Sequence, residues 1–174
     1  MAAGKGGRPP ILRLDPAPMV AVLDKHEVDF IVVGGYAVNA HGVIRSTKDI
    51  DICPDPDPAN LRRLASALAE LGAYQLDAGD LGPKEMPFAP DLEGLSGGGN
   101  FTLGTAHGRL DIMQWLDGVD GYAALERHAV ERRFAGLDRV RFAGYDELVA
   151  MKQAAGRDQD KIDLQDLKAA RGEL

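Results

Sequence analysis

The chain has 174 residues, of which 45% are hydrophobic and 27% charged, and its formal net charge is −7. This length suits one domain, or one domain with a small helical appendage, which buries roughly 70% of its unfolded surface and needs no disulfide or metal for stability. One cysteine excludes an internal disulfide, and four scattered histidines offer no zinc motif. No apolar run is long enough to cross a bilayer and no secretory signal is visible, so we expect a cytoplasmic protein without membrane contact.

The acidic excess is confined to the first 120 residues. They hold ten Lys or Arg against seventeen Asp or Glu, whereas residues 121–174 hold ten of each. A globally acidic protein is poorly attracted to nucleic acid, although a local basic face can still bind it. Clustered carboxylates also suit a site for divalent cations.

The first half of the chain alternates helices with short strands. In chain order we expect a mobile tail over 1–12, a helix over 16–26 with Asp15 as N-cap, a buried strand over 28–33 that stops at Gly34-Gly35, a short helix over 36–41, a strand over 49–53, and a helix that Asp57-Pro58 opens and Gly72 ends. The stretch from Asp77 to Gly99 has no period and is rich in Gly, Pro and Asp, which is typical of a functional or mobile loop.

The second half begins with more strands and ends in helix. We expect strands over 100–103 and 109–115, a short helix after Asp120, a strand pair around Val130 and Val140, and a helical tail over 145–170, with Cys53, Phe101 and Trp115 buried. This order predicts an α/β (α+β) fold with a mixed central sheet flanked by helices and a short C-terminal helical tail. Residues 13–120 form its core, and residues 121–174 form an extension packed on that core.

Two features of the first half point to phosphate and metal chemistry. Gly34-Gly35 ends a strand and leads into a helix, so its backbone can approach a phosphate closely, although an ordinary strand-to-helix turn would look the same. Strand alternation places Asp49 and Asp51 on one face, about 7 Å apart along the strand, where they can share bound Mg²⁺. The alternative is a solvated edge strand.

A third carboxylate follows in a strand that is otherwise apolar. Asp111 lies between Leu110 and Ile112, and an unpaired buried carboxylate is costly, so Asp111 needs a cation or hydrogen-bond donors beside it. A salt bridge to Arg45 or Arg109 would also satisfy it. Three carboxylates that converge on a glycine turn are what a two-metal phosphoryl transfer requires.

The sequence from Ile31 to Gly42 (IVVGGYAVNAHG) and from Arg45 to Ile52 (RSTKDIDI) resembles the DNA polymerase β-type nucleotidyltransferase superfamily. Within it, the sequence is most similar to the AbiEii-type toxin group and related bacterial proteins, because the C-terminal runs LVAMKQAAGR and DKIDLQDL also match that group's Lys and Lys-Asp helices. The resemblance covers roughly residues 20–170. One departure is the turn itself: many members of the superfamily carry Gly-Ser there, so the serine hydroxyl that would contact a phosphate is missing from Gly34-Gly35.

The resemblance implies roles for individual residues. Asp49, Asp51 and Asp111 would bind a pair of Mg²⁺ ions, or Mn²⁺ in their place, and Gly34 and Gly35 would cradle the triphosphate of an NTP. Further nucleotide-binding candidates are Lys152, which would reach a phosphate or the purine and belongs with the catalytic set, and Arg45, Thr47, Arg157 and Lys161. A solvated helix face explains Lys152 equally well.

The function implied is transfer of a nucleotide from an NTP to an acceptor hydroxyl. The acceptor could be RNA, with the protein as the tRNA-modifying toxin of a toxin–antitoxin pair and an antitoxin protein as partner. It could instead be a small molecule such as an aminoglycoside, or a protein hydroxyl. Two other hypotheses stay open: a catalytically idle nucleotide-binding module of the same fold, and an α/β domain of unrelated fold in which Gly-Gly and Asp-x-Asp coincide by chance.

Overall fold

A computed structural model describes residues 13–76 and 89–174. The tail predicted over 1–12 lies outside the described residues, as does the part of the predicted loop from 77 to 88. Within the described ranges the helices are α1 (Pro16–Lys25), α2 (Gly34–Ala40), α3 (Pro58–Glu70), α4 (Leu92–Ser96), α5 (Gly121–Glu126), α6 (Tyr145–Ala155) and α7 (Asp158–Ala170). The strands are β1 (Phe30–Val33), β2 (Asp49–Pro54), β3 (Tyr74–Gln75), β4 (Asn100–Thr105), β5 (Gly108–Met113), β6 (Val130–Phe134) and β7 (Leu137–Phe142).

The strands form one sheet in the order β3-β4-β5-β2-β1-β7-β6. β2 runs antiparallel to β1 and parallel to β5, and β7 runs parallel to β1. The remaining neighbours, β3 with β4, β4 with β5 and β6 with β7, are antiparallel. The predicted mixed sheet with flanking helices is therefore confirmed. The strand pair predicted around Val130 and Val140 is a continuation of this sheet, because β7 pairs directly with β1.

The centre of the sheet is the core. All four residues of β1 are buried, as its β-branched and aromatic composition indicates. In β2 the isoleucines at 50 and 52 are fully buried while the two aspartates alternate with them and stay half-buried. The strict alternation in the sequence thus gives a strand with one apolar and one acidic face.

Helix α3 shows how local sequence determines an element at this level. The Asp57 carboxylate accepts hydrogen bonds from the backbone N–H groups of Ala59 and Asn60, and Pro58 occupies the first helical position. Leu61, Leu64 and Leu68 are buried and form the apolar stripe of this helix. None of the helices in the two described ranges is long and apolar enough to span a membrane.

Several sequence expectations are corrected. α2 begins at Gly34, two residues before the predicted start, so both glycines lie in its first turn. The segment predicted to lack structure up to Gly99 contains α4, which the Asp91 side chain caps at the Gly94 N–H and which buries Leu95. β3, which was not predicted, pairs with β4. A two-residue strand and a five-residue helix are too short to give a periodic pattern.

The prediction for Trp115 was wrong. Its side chain is exposed (68%), whereas Phe101 and Cys53 are buried as expected. β5 ends at Met113, so Trp115 lies beyond the sheet, with its ring against the backbone of Gly98. Residue type alone could not reveal that the strand stops two residues short of the tryptophan.

Candidate active site

Three carboxylates converge on one face of the sheet. Asp49 and Asp51 lie on β2, and Asp111 is the register partner of Asp51 on the parallel neighbour β5. One oxygen from each carboxylate lies within 4.8 Å of the other two. We call these three residues the carboxylate cluster. Alternation explains why Asp49 and Asp51 share a face, and the register of β2 with β5 adds the third group.

The glycine turn lies against this cluster. Asp51 is also the register partner of Val33, the last residue of β1, so the chain reverses into α2 directly beside Asp51. Gly34 has φ = +65°, and a methyl carbon on it would lie 2.8 Å from Asp51 Cγ. Only glycine combines this left-handed backbone with the absence of a side chain.

The second glycine is equally confined. A methyl carbon on Gly35 would lie 2.8 Å from Thr47 Oγ1 and 3.4 Å from Arg45 Cζ. Thr47 in turn donates a hydrogen bond of 3.0 Å to the Asp49 carbonyl oxygen. The segment before β2 therefore folds over the start of α2, which brings Arg45 and Thr47 beside both the glycines and the carboxylate cluster.

The electrostatics of the cluster are unfavourable to three full negative charges. Burial, and then the neighbouring Asp49 and Asp111, raise the pKa of Asp51 to about 7. Burial also raises the pKa of Asp111 to about 6, with Arg109 acting against this rise and Asp49 adding to it. Low-dielectric surroundings and like charges both disfavour the ionised form.

Arg109 supplies part of the missing positive charge. It lies two residues before Asp111 on β5 and opposite Asp49 in register. Its Nη2 atom is 3.5 Å from Asp111 Oδ2 and 3.7 Å from Asp49 Oδ2. The salt bridge considered as an alternative for Asp111 is thus present, but it leaves Asp111 Oδ1 buried without a hydrogen-bond partner in the described part of the chain.

Lys152 is buried in an ion-pair network. Its Nζ atom lies 2.7 Å from Asp163 Oδ2 and 3.0 Å from Asp160 Oδ1, and both aspartates are almost fully buried. Arg45 Nη1 binds the same Asp163 carboxylate at 2.6 Å, and Arg157 Nε binds Asp160 at 2.7 Å. The solvated-helix-face alternative for Lys152 is therefore excluded.

This network borders the carboxylate cluster. The charge of Lys152 lowers the pKa of Asp51, against the larger effect of burial, so the ammonium and the cluster interact. An ammonium group has three donors; Lys152 donates one hydrogen bond to Asp160 and lies in ion-pair contact with Asp163. Lys161 is not part of this arrangement: its side chain is exposed and pairs with Asp158 on the surface.

Asp160, Asp163 and Arg109 were not among the residues predicted for the site. The two aspartates are three residues apart and so share one face of α7, although the polar composition of that helix indicates an exposed element. The available signal was the three-residue spacing of these aspartates, which lets both pair with basic residues such as Lys152 on a helix and Arg45 on a loop. Pairing across 118 residues, as between Arg45 and Asp163, cannot be read from local pattern.

A cavity of about 530 Å³ opens beside the cluster, between the segment before α1, α2 and the segment before β2. Among the described residues its wall includes three basic side chains and no carboxylate; the polar lining residues are Arg13, Tyr36, Asn39, Arg45, Ser46, Thr47 and Lys48. A cavity with this lining suits an anionic ligand.

The carboxylate cluster fits a divalent cation. Oxygen donors are the ligands that Mg²⁺ and Mn²⁺ prefer, and the observed spread of the three carboxylates allows them to share an ion. A bound cation would give a partner to Asp111 Oδ1, which is buried without one among the described residues. It would also relieve the repulsion by Asp49 and Asp111 that adds to the effect of burial on the pKa of Asp51. The arrangement thus combines a cation site, a close backbone approach and a basic cavity.

Comparison with solved structures identifies the fold. The chain is similar to the antibiotic-resistance factor ANT(2″)-Ia, both in solution (TM-score 0.55, 16% identity, 88% of this chain and 80% of that chain) and in a crystal with adenylyl-2″-tobramycin (TM-score 0.55, 15% identity, 88% and 85%). It is also similar to the lincosamide antibiotic adenylyltransferase LnuA with lincomycin bound (TM-score 0.57, 16% identity, 88% and 94%). No protein-family model and no curated protein matches the sequence.

These likenesses show that the chain has the nucleotidyltransferase fold, in agreement with the superfamily-level resemblance of its motifs. They give no support to the AbiEii-type toxin group in particular, so that part of the resemblance stays a prediction.

Proposed function

We propose that the protein is a divalent-metal-dependent nucleotidyltransferase that moves a nucleotide from an NTP to an acceptor hydroxyl. The observation that carries this proposal is the convergence of Asp49, Asp51 and Asp111 within 4.8 Å, beside a glycine turn, in a chain of nucleotidyltransferase fold. An idle module has no reason to keep three mutually repelling carboxylates at one point, since each costs free energy when unpaired.

Asp49, Asp51 and Asp111 would hold Mg²⁺ ions, for which Mn²⁺ can substitute. When bound, the metal supplies positive charge to the triphosphate and to the developing charge on the reacting oxygens. In an in-line displacement, the oxygen of the acceptor forms a bond to the α-phosphorus while the bond from that phosphorus to the bridging oxygen breaks and pyrophosphate leaves. Asp111 accepts the proton of the acceptor hydroxyl, a role that suits a carboxylate beside the reacting oxygen.

The remaining site residues orient the nucleotide. Backbone N–H groups at Gly34 and Gly35, in the first turn of α2, receive the triphosphate. Arg45 and Thr47 lie beside Gly35 and line the basic cavity, which supports a role in phosphate binding. Lys152 retains one donor for a phosphate or the purine.

Arg157 and Lys161 have weaker support. Arg157 interacts electrostatically with Asp51, which places its positive charge within reach of the cluster. Lys161 is on the surface and could contribute only long-range attraction. Residues 13–120 form the catalytic core in this proposal, residues 121–174 add Lys152 and its partners, and the protein acts in the cytoplasm.

Two classes of acceptor are each favoured by a specific observation. ANT(2″)-Ia was solved with an adenylylated tobramycin and LnuA with lincomycin, which supports a small-molecule acceptor. RNA, as for a toxin with an antitoxin partner, is supported by the exposed arginines of the β6–β7 hairpin. Two of these are partly neutralised, because Arg133 pairs with Asp138 at 2.9 Å and Arg139 with Glu131 at 2.7 Å.

One assay tests the activity and separates the acceptors. The protein is incubated with Mg²⁺ and each NTP labelled at the α-phosphate, together with total tRNA or with a panel of antibiotics that includes tobramycin and lincomycin. We expect label on one class of acceptor, and none with Asp49→Asn. If that class is RNA, Arg132→Glu with Arg133→Glu lowers transfer but leaves NTP affinity unchanged, because both side chains lie on the hairpin.

Label on tRNA that survives this double reversal would contradict docking on the hairpin. Label on an antibiotic would exclude the RNA proposal, and the acidic residues Asp91 and Glu93 would then be candidate partners of a cationic acceptor; Asp77, Asp80 and Glu85, expected for the same role, lie outside the described residues. Label on no acceptor, with NTP binding retained, would favour a protein acceptor or the idle module.

A further inference from the structure

Arg109 is the basic residue that the structure brings to the carboxylate cluster and that the proposed function leaves without a role. Strand alternation puts it on the same face as Asp111, and register puts it opposite Asp49. A single atom, Nη2, makes both contacts, at 3.5 Å to Asp111 and 3.7 Å to Asp49. The guanidinium therefore spans two of the three carboxylates.

These contacts are weak for a guanidinium. Charge-assisted hydrogen bonds from nitrogen to a carboxylate are typically about 2.7–2.9 Å long and often bidentate. Arg45 meets that standard within this same chain, at 2.6 Å from the fully buried Asp163. Arg109 makes long contacts through one nitrogen, its Nε is buried without a hydrogen-bond partner among the described residues, and its side chain is 36% exposed.

We propose that Arg109 is a displaceable counter-cation, which neutralises Asp49 and Asp111 in the metal-free protein and gives them up when a divalent cation binds the cluster. This proposal rests on the proposed function, because it takes the cluster as the metal site. A guanidinium that is loosely held and partly exposed can swing into solvent, whereas a structural ion pair of the Arg45 type cannot. Asp51, the third carboxylate of the cluster, makes no ion pair with Arg109 in the described part of the chain.

The consequence is a competition that lowers metal affinity. To bind, an ion must replace the contacts of Arg109 with two carboxylates and overcome the repulsion of the nearby positive charge. Removal of Arg109 should therefore tighten metal binding, which is the reverse of what loss of a merely structural residue would do. Because Arg109 weakens the binding of the free metal ion, the metal would bind preferentially as a complex with the NTP, whose phosphates supply further negative charge.

The test measures Mn²⁺ binding without nucleotide, by the electron paramagnetic resonance signal of the free ion. We expect Arg109→Gln to bind Mn²⁺ about tenfold more tightly than the wild type. The affinity of Arg109→Lys should lie between the two, since lysine keeps the charge but lacks the planar guanidinium group that spans two carboxylates. Lys48→Gln is the matched control. It removes one positive charge next to Asp49, but from an exposed side chain without an ion-pair partner in the described ranges, and should change affinity by less than about twofold.

Two results would overturn the proposal: affinity in Arg109→Gln that is equal to or weaker than that of the wild type, or equal tightening by Lys48→Gln. Asp49→Asn separates this failure from failure of the proposed function. If Mn²⁺ binding is lost in Asp49→Asn but unchanged in Arg109→Gln, the cluster is the metal site and only the role of Arg109 is wrong. If Asp49→Asn leaves Mn²⁺ binding unchanged, or if neither the wild type nor Arg109→Gln binds Mn²⁺, then both the proposed metal site and the proposed role of Arg109 are wrong. Thermal melting checks that each variant is folded.

Discussion

Gly34, the first residue of α2, lies against the side chain of Asp51 on β2, at the point where β1 ends. A methyl carbon on Gly34 would lie 2.8 Å from the carboxyl carbon of Asp51, well inside van der Waals contact. The glycine thus decides where the Asp51 carboxylate can be. The position of this proposed metal ligand and the shape of the turn are therefore one constraint.

The first prediction concerns this contact. Gly34→Ala should lower nucleotidyl transfer by at least about a hundredfold, because Asp51 must move and the turn is filled. Gly42→Ala is the matched control: it is also a glycine with positive φ (+93°), but a methyl carbon there meets nothing within 4 Å. Both variants lose about 1 kcal/mol of stability to backbone strain, and only Gly34→Ala should lose activity. Equal activity of the two variants would show that the contact does not matter.

The second prediction links nucleotide binding to metal. Calorimetric titration with a non-hydrolysable NTP analogue should give at least about tenfold weaker affinity in EDTA than in Mg²⁺, since the cluster alone repels phosphate. Asp49→Asn should reduce this dependence on Mg²⁺, while Asp117→Asn, which alters an exposed aspartate beyond β5, should retain it. Equal affinity in EDTA and in Mg²⁺ would argue against a metal–nucleotide site at the cluster.

The third prediction is a pH dependence of stability. The pKa values of Asp51 (about 7) and Asp111 (about 6) are raised above the ordinary value of 3.8, so the folded metal-free protein binds these protons more tightly than the unfolded chain. Their contribution to the free energy of unfolding is then greatest below about pH 4 and is lost as pH rises to about 7. Between pH 7.5 and 5 we expect the melting temperature of the wild type to rise by about 5 °C more than that of Asp51→Asn.

That comparison must be a difference between variants, because other groups oppose it. Burial raises the pKa of Asp160, but hydrogen bonds from Arg157 and Lys152 outweigh it and lower the pKa overall. Such a group loses stabilisation as the pH falls. Mg²⁺ and protons compete for the same oxygen atoms. Added Mg²⁺ should therefore reduce the difference in pH dependence between wild type and Asp51→Asn to the extent that it binds. Identical pH profiles for the two proteins in EDTA would refute the raised pKa of Asp51.

The fourth prediction concerns the buried network. Asp163→Asn removes the carboxylate that binds both Lys152 and Arg45, and should destabilise the protein by about 3 kcal/mol, because the buried Lys152 and the half-buried Arg45 lose a partner. NTP affinity should fall as well, since the segment that carries Arg45 is no longer held on α7. Asp158→Asn on the exposed side of the same helix should leave chemical denaturation and NTP affinity unchanged. If Asp163→Asn behaves like Asp158→Asn, the network is not what holds the Arg45 segment.

The carboxylate cluster was predictable because its determinants are local. Alternation with fully buried isoleucines fixes the face of Asp49 and Asp51, and flanking apolar residues mark Asp111 as a carboxylate in a buried strand. Only the convergence of the two strands had to be supplied by the fold. The glycine turn was likewise visible, although the helix begins at the first glycine and not after the second.

The surroundings of the cluster were not predictable in the same way. For Lys152 the sequence left a nucleotide-binding role and a solvated helix face equally open, and only its burial against Asp160 and Asp163 of α7 excludes the second. The polar sequence of α7 gives no sign that these two aspartates are buried. Trp115 is a large aromatic residue of the kind usually found in a core, but it lies beyond the end of β5 and its side chain is exposed. These outcomes depend on which distant segments meet, and no period within a single helix or strand records that information.

The pairing of Arg45 with Asp163 also has a consequence for the order in which the protein is made. Synthesis proceeds from the N-terminus, and β1 and β2 can pair as soon as both have left the ribosome. Arg45 is held by Asp163, which lies 118 residues later in the sequence, on α7. A nascent chain therefore contains the carboxylate cluster well before Arg45 gains its partner, so under the proposed function nucleotide transfer should begin only after α7 has emerged and docked.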